Sequence, residues 1–348
     1  MLASAMMDID IILEPNLTPE QVAQLGVVAE GYGVRALWTS NYFAHWDAFL
    51  SLVPLAQRTS RLLMGPLAVS PFEMHPLKIA NSLLTLNELS GGRALLALGA
   101  GEGNLEAMAL QKPDKIVRAV REAAEIVIAA GRGGLAKGYQ GEYFHVRFPC
   151  AYDWLRAPRP PFVYVTCYRH QMMRMAARVA DGVYLGAIPT EIVEPAMAAV
   201  RSGLAERTAA KVHPTRINAF WGWHIKRDRS KALTESRREL AWRGRKLDPE
   251  ILRLYLSEEE TQLVVDKFQA FVDAWFDRSG IVKGVPDEIC NRLMFALTST
   301  GGLEDLDREI ERFKTFERAG LTEIALRLHE DPLEALEIIG RHVIPRLR

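Results

Sequence analysis

The amino-acid sequence predicts an α/β protein of the (β/α)8 TIM-barrel class, with two insertions at the C-terminal rim. Eight short apolar runs alternate with longer amphipathic segments along the 348 residues. Most of these runs are apolar throughout, as expected for strands that are buried on both faces. Eight parallel strands that are each followed by a helix are the composition of one closed (β/α)8 barrel. An open, doubly wound sheet is the structural alternative.

The predicted elements follow the apolar pattern in chain order. Strands are predicted at 8–13, 34–39, 61–69, 93–99, 162–166, 182–186, 216–225 and 322–328. Helices are predicted at 18–31, 46–58, 76–89, 112–130, 169–180, 190–209, 229–244, 303–319 and 332–345. Proline just inside a helix start supports two of these assignments, at Thr18-Pro19 and Asp331-Pro332.

Two segments interrupt the alternation within what is predicted to be a single domain over 1–348. Residues 131–160 are rich in glycine and proline and predict a small hairpin, whereas residues 246–300 are predicted to be mainly helical. Insertions after barrel strands gather at the C-terminal face, so both are expected to shape a pocket there. Five aromatic residues are candidates to line it for a sizeable apolar or aromatic substrate, or they pack the insertion onto the barrel: Trp221, Trp223, Trp242, Trp275 and Phe276.

Composition excludes several classes of function. Lys+Arg and Asp+Glu both number 43, so there is no electrostatic reason to expect a nucleic-acid or membrane partner. The three cysteines are far apart and form no CxxC motif, which fits a reducing cytoplasm. No signal peptide, long apolar span or metal-binding histidine motif is recognised, so we expect a cytoplasmic protein without a metal.

Glycines cluster at the end of the fourth predicted strand, where residues 99–104 read GAGEGN. A dinucleotide-binding GxGxxG fingerprint requires glycine at Asn104 and usually follows the first strand, so that reading is disfavoured. Glycines at a strand end allow a flat ligand to approach the backbone closely. The alternative is that they only form a tight turn.

Polar side chains follow several different predicted strands, and in a barrel such positions converge on one mouth. Each of them alone is more typical of a surface or capping residue, but together they indicate an enzyme. These residues are Glu14, Ser40, Asn41, Ser70, Glu102, Glu106, Thr166, Cys167 and His224.

Residues 65–106 resemble the bacterial luciferase-like family of flavin- and deazaflavin-dependent oxidoreductases. The family is typified by a Gly-Pro lead-in, a Pro-x-x-x-His-Pro step, a Ser-x-Gly-Arg turn and a Gly-x-Gly strand end. The corresponding residues here are Gly65-Pro66, Pro71 to His75-Pro76, Ser90 to Arg93, and Gly99 to Gly101. Residues 159–187 and the tail from 303 are also similar, so the resemblance covers nearly the whole chain apart from the insertions.

The resemblance implies a barrel with a flavin-type ring at the C-terminal mouth, lying against the third strand. Members that use coenzyme F420 often have a non-prolyl cis peptide in that strand, which aligns with Leu67-Ala68. The motif GAGEGNLE is most similar to the F420-dependent glucose-6-phosphate dehydrogenase type. By that similarity Glu106 is a candidate acid or substrate-orienting group; alternatively it is an exposed residue of a helix start.

One departure from the family pattern concerns the proton-transfer group. Many F420-dependent relatives have a histidine after the second strand where this chain has Asn41, which can only form hydrogen bonds. His45 is a candidate substitute further along the loop. Arg169, which stands near a position where relatives have Gly-Pro, is a candidate for binding a cofactor phosphate together with the following helix N-terminus.

The favoured hypothesis is an F420-dependent oxidoreductase that exchanges a hydride with a small-molecule substrate. An FMN-dependent monooxygenase is the first alternative, and a non-catalytic ligand-binding relative, favoured by the loss of histidine at Asn41, is the second. The resemblance also implies a homodimer. The candidate cofactor-binding residues are Leu67, Ala68, Ser70, Gly99, Gly101, Glu102, Thr166, Cys167 and Arg169.

Overall fold

Eight parallel strands close into a barrel in the computed structural model, which describes residues 6–208, 214–244 and 249–348. Eleven strands occur in the described part of the chain. They are β1 (Asp8–Leu13), β2 (Ala36–Ser40), β3 (Leu63–Val69), β4 (Leu95–Leu98), β5 (Tyr139–Gln140), β6 (His145–Val146), β7 (Phe162–Cys167), β8 (Gly182–Leu185), β9 (Arg216–Ile225), β10 (Thr298–Gly301) and β11 (Glu323–Arg327). The barrel order is β1-β2-β3-β4-β7-β8-β9-β11, and β11 pairs back to β1. The predicted (β/α)8 barrel is confirmed.

Helices surround the barrel. The described α-helices are α1 (Pro19–Tyr32), α2 (Val53–Arg58), α3 (Pro76–Leu89), α4 (Glu102–Ala107), α5 (Ile116–Ala130), α6 (His170–Val179), α7 (Val193–Ala205), α8 (Arg229–Gly244), α9 (Pro249–Leu252), α10 (Glu258–Asp266), α11 (Phe268–Phe276), α12 (Asp287–Leu297), α13 (Leu306–Ala319), α14 (Pro332–Ile338) and α15 (Ile344–Leu347). The predicted helix at 46–58 begins only at Leu50, with one 3₁₀ turn. The one predicted at 332–345 is interrupted by a π-turn over Ile339–Val343. None of the described helices is long and apolar enough to span a bilayer.

Strand alternation decides which side chains enter the barrel. In β9, Phe220 packs against the barrel interior, whereas Trp221 and Trp223 belong to the outer core between strands and helices. The Trp221 ring lies 5.4 Å from that of Phe316, and the Trp223 ring 6.4 Å from that of Phe313, both on α13. These two tryptophans therefore pack α13 against the barrel, and the interpretation that they line a substrate pocket is wrong. The side chain of Trp242 lies outside the part of the chain that the structure describes.

A buried polar layer closes the barrel at its N-terminal end. Arg35 Nε donates to Asp10 Oδ1 at 2.8 Å, and Arg35 Nη2 lies 3.3 Å from Glu323 Oε1. The Tyr164 hydroxyl also donates to Glu323, and Asn218 donates to Asp10 at 2.7 Å. Burial raises the pKa of Asp10 despite the nearby arginine, whereas the pKa of Glu323 is lowered because Arg35 and Arg216 outweigh its burial. This layer fills the N-terminal end of the barrel interior with buried, hydrogen-bonded polar side chains.

The segment 131–160 carries the antiparallel β5–β6 hairpin, which lies outside the barrel sheet. Helices α9 to α12 have an apolar core of their own that includes Phe271, Leu293 and Met294. The ninth sheet strand, β10, was missed in the stretch predicted to be mainly helical. It pairs with residues 222–225 of β9, beyond the residues 216–219 that pair with β8, and so extends the barrel wall at the C-terminal end.

Candidate active site

Three titratable side chains meet at the C-terminal mouth because of the strand register. Ile12 of β1 pairs with Arg327 of β11, and Arg327 pairs with Gly222 of β9. Continuing each strand by two residues places Glu14, His329 and His224 side by side. Because side chains alternate along a strand, these positions share the inward face of Ile12 and Phe220.

Glu14 is held by two basic groups. It forms a bidentate ion pair with Arg327, with N–O distances of 2.9 and 2.8 Å, and His329 Nδ1 lies 2.7 Å from Glu14 Oε1. Burial disfavours the charged carboxylate, but Arg327 and His329 outweigh it and lower the pKa of Glu14 far below its usual range. Glu14 is therefore ionised at neutral pH, and it accepts a hydrogen bond from the Nδ1–H group of His329.

His224 forms a second histidine–carboxylate pair on the same face. Its Nδ1 lies 2.8 Å from Glu235 Oε1, and Lys226 Nζ lies 3.0 Å from Glu235 Oε2. Burial lowers the pKa of His224 to about 4, whereas the pKa of Glu235 is lowered to about 2 because His224, His329 and Lys226 outweigh its burial. At neutral pH a neutral imidazole therefore donates to a carboxylate. The His224 and His329 rings stack, with centroids 4.8 Å apart and planes 11° apart.

The opposite half of the mouth is formed by small residues at the ends of β3, β4 and β7. The peptide bond between Leu67 and Ala68 is cis, as the family resemblance predicted. A Cβ added to Gly99 would overlap the Thr166 hydroxyl and lie 3.4 Å from the Ala68 Cβ, so these three residues are immediate neighbours. Small side chains here leave room for a flat ring, while the large polar groups stand across the barrel.

Gly101 and Ser70 join the loops after β4 and β3. Gly101 has a φ of 71°, in the left-handed region that favours glycine, and a Cβ there would overlap Ser70. Ser70 is fully buried, and its hydroxyl donates to the carbonyl of Ala100 at 3.2 Å. Gly101 and Ser70 therefore pack directly against each other where the loops after β4 and β3 meet.

Asn41 is locked into a hydrogen-bond network between three loops. Its Nδ2 donates to Glu73 Oε1 at 2.7 Å and to the carbonyl of Ala68 at 3.1 Å. Asn104 Nδ2 donates to the other oxygen of Glu73 at 2.8 Å, and the Ser70 amide donates to Glu73 Oε1 at 2.8 Å. The side chains of Asn41, Glu73 and Asn104 line a cavity of about 190 Å³. Asn41 therefore orients backbone and cavity wall rather than exchanging protons.

Three of the remaining predicted site residues are exposed, and a fourth is turned away from the barrel interior. Glu106 is exposed on α4, and His45 is exposed in the loop after β2, its ring 6.1 Å from that of Tyr42. Arg169 is exposed and precedes α6 as its N-cap residue. Cys167 is turned towards the outer core, its thiol 3.2 Å from the carbonyl of Val165, because it alternates with Thr166 along β7.

Leu67 packs against the apolar barrel interior. The side chain of Glu102 lies outside the part of the chain that the structure describes.

Sequence reasoning missed Glu73, Asn104, His329 and Glu235. The first two act only because loops from three different strands meet, and no local motif signals that meeting. His329 follows the last barrel strand directly, so the rule that site residues follow barrel strands was sufficient to find it. In the described residues, no group of three or more His, Cys, Asp or Glu side chains is arranged to hold a metal ion.

Comparisons with known proteins show which chains and which fold this protein is similar to. A 5,10-methylenetetrahydromethanopterin reductase from Archaeoglobus fulgidus is 28% identical over 326 residues, covering 92% of this chain and 94% of that protein. An F420-dependent glucose-6-phosphate dehydrogenase from Nakamurella multipartita is 23% identical over 345 residues, covering 95% of this chain and 93% of that protein. The solved structure of the coenzyme F420-dependent tetrahydromethanopterin reductase from Methanopyrus kandleri has the same fold. Its TM-score is 0.84 at 23% identity, over 99% of this chain and 100% of that chain.

The sequence also matches the family of luciferase-like monooxygenases over residues 5–323. This match covers most of the chain and confirms the family resemblance that residues 65–106 carry. The chain therefore belongs to the luciferase-like monooxygenase family of enzymes.

Proposed function

We propose that this protein is an F420-dependent oxidoreductase, which exchanges a hydride with a small-molecule substrate at the barrel mouth. The observation that carries the proposal is the near full-length similarity to the Archaeoglobus reductase and the Nakamurella F420-dependent dehydrogenase. The two halves of the mouth support it, since one is lined by small residues and the other by buried polar groups.

The residues at the ends of β3, β4 and β7 fit a flat ring. Ala68 and Gly99 leave the inward face of these strands without bulky side chains, and the Thr166 hydroxyl adjoins Gly99. Arg169 precedes α6, whose first backbone N–H groups lack a side-chain cap, so this end suits the phosphate of a cofactor. When bound, a deazaflavin supplies a ring carbon that accepts or donates a hydride.

The chain's own groups then have to position the substrate, exclude water and manage a proton. Asn41 is committed to Glu73 and to the carbonyl of Ala68, so in this proposal it holds the ring-side loop in place. Glu106, exposed on α4, is the proposed acid or substrate-orienting group, with His45 as the next candidate. Both belong to segments that follow barrel strands, Glu106 after β4 and His45 after β2.

Titration of the purified protein with F420 and, separately, with FMN tests the choice of cofactor. Trp46, about half exposed in the loop after β2, is a natural reporter because that loop borders the cavity near Asn41. We expect F420 to quench tryptophan fluorescence with one site per chain, and Trp46→Phe to lose part of the quench but keep the affinity. Tight FMN binding with no response to F420 would favour the monooxygenase alternative, and no response to either would favour a non-catalytic relative.

We also propose that the protein is a homodimer, as the family resemblance implies. The balanced charge offers little net repulsion against self-association. Sedimentation analysis at micromolar concentration tests the proposal, and a single 39.0 kDa species would contradict it.

A further inference from the structure

Among the described residues, three buried nitrogen atoms around the mouth have no hydrogen-bond partner. They are Nε2 of His224 and Nε2 of His329, on side chains that are 0% and 7% exposed, and Nη2 of Arg238. Leaving a buried polar atom without a hydrogen bond is unfavourable, so these atoms indicate a place where a ligand supplies the missing partner. Both rings face the barrel interior at the open end, where a substrate would sit.

The carboxylates fix which tautomer each ring adopts. Glu14 and Glu235 can only accept hydrogen bonds when ionised, so the Nδ1 atoms of His329 and His224 carry the protons. A ring in this tautomer has a lone pair on Nε2 when it is neutral. The stacked rings therefore offer two hydrogen-bond acceptors on one face of the mouth.

The charges around the two histidines indicate the net charge of the ligand. Three carboxylates and three basic groups surround the pair: Glu14, Glu235, Glu239, Arg327, Lys226 and Arg238. The exposed Glu330 and Arg278 pair with each other and with Arg238 or Glu239 at the rim, and Tyr42 contacts Arg327. These formal charges cancel while both histidines are neutral. Neither an anion nor a cation gains a net attraction here.

We propose that His224 and His329 form a substrate-binding pair that accepts hydrogen bonds from a neutral hydroxyl or N–H group through their Nε2 atoms. This inference rests on the proposed function, because it places the donor-bearing part of the substrate opposite the small residues that are proposed to hold the deazaflavin. Glu14 and Glu235 are positioning residues that fix the rings. The substrate class is thus an uncharged alcohol, amine or amide N–H donor at this end of the molecule.

Matched substitutions separate the acceptor atom from the rest of the ring. In asparagine the amide nitrogen is as many bonds from Cβ as Nδ1 of histidine, so His329→Asn keeps a donor to Glu14 and removes the Nε2 acceptor. In glutamine the terminal amide reaches the Nε2 position, so His329→Gln keeps an acceptor there. His342→Asn, at an exposed histidine near the C-terminal end, is the control.

The experiment uses protein labelled with ¹⁵N in histidine and two probes, 2,2,2-trifluoroethanol as a hydroxyl donor and its methyl ether as a matched non-donor. In the free protein at pH 8 we expect unprotonated Nε2 signals for His224 and His329. The alcohol should shift both signals and the ether should not. Measured by ¹⁹F resonance, His329→Asn should weaken alcohol binding about 2- to 12-fold, the range of one neutral hydrogen bond, while His329→Gln and His342→Asn should weaken it less.

F420 titration of the same variants keeps the two proposals apart. If F420 binds but the alcohol leaves the Nε2 signals unchanged, or if the Nε2 atoms are protonated in the free protein, the paired acceptor site is wrong and the proposed function stands. If the alcohol shifts the signals but F420 does not bind, the acceptor site stands and the proposed function is wrong.

Discussion

Asn41 stands where many F420-dependent relatives have a histidine, and its side chain has a structural role in this protein. Both hydrogens of its side-chain amide are used, one by Glu73 and one by the carbonyl of Ala68. An asparagine cannot exchange a proton near neutral pH, but it can make these two contacts. The loss of the histidine expected after β2 therefore leaves the mouth ordered, and titratable groups remain elsewhere in it.

Asn41→Asp tests this network. The substitution puts a second carboxylate 2.7 Å from Glu73 Oε1 and removes a donor, so like-charge repulsion replaces a hydrogen bond. We expect a loss of about 2–4 kcal/mol of unfolding free energy at pH 7, measured by urea denaturation, with partial recovery towards pH 5 as the pair shares a proton. Asn16→Asp, at an exposed site, should change stability little. Equal losses of unfolding free energy in the two variants would show that the hydrogen bonds of Asn41 do not stabilise the protein.

His224 makes stability depend on pH. Its pKa is about 4 in the folded protein, below the ordinary 6.5, because burial disfavours the charged ring. Between these values the unfolded chain binds a proton that the folded chain does not, so stability falls as pH drops from 6.5 to 4, by on the order of 3 kcal/mol. His224→Asn keeps a donor for Glu235 and should flatten this part of the stability curve. An unchanged slope would place the titration elsewhere, and His342→Asn provides the comparison.

At the scale of elements, the end of β4 carries the clearest test of the ring site. Gly99 faces the Thr166 hydroxyl and Ala68, whereas a Cβ at Gly103 meets no heavy atom within 4 Å. Gly99→Val should therefore narrow the ring side of the mouth and weaken F420 binding at least about 10-fold, at a stability cost of about 1–3 kcal/mol from overpacking. Gly103→Val should leave F420 affinity unchanged. Equal F420 affinities for the two variants would mean that the glycines serve only the turn.

The eight barrel strands were predictable because each is an apolar run of strand length. β10 was not, because residues 298–301 read TSTG, without an apolar pattern, and directly follow the helix α12. Its place depends on pairing with β9, more than 70 residues earlier in the chain. The same limit applies to the site. Gly99 was predictable from a local motif, and the cis bond at Leu67-Ala68 was implied by the family resemblance. Glu73 and Glu235 were not predictable, because they act through contacts with side chains from other loops and strands.

At the scale of the whole molecule, the barrel is closed at its N-terminal end by buried charges, and Arg35 is central to them. Removing it leaves Asp10 and Glu323 buried without their shared cation, so Arg35→Met should cost about 3–5 kcal/mol of unfolding free energy. Arg58 pairs with Glu20 at the surface, where both side chains are about half exposed, and Arg58→Met should cost about 0–1 kcal/mol. Urea denaturation of both variants measures the difference. Similar losses would show that the interior pair is no more important than a surface pair.

The central claim is that F420 binds at the C-terminal mouth, with its ring against the ends of β3, β4 and β7. Hydrogen–deuterium exchange with and without F420 locates the bound cofactor directly. We expect protection in peptides covering 65–75, 99–105 and 166–172, and no change in peptides from the N-terminal end around Asp10 and Arg35. Protection confined to other segments, or no protection at saturating F420, would contradict the account.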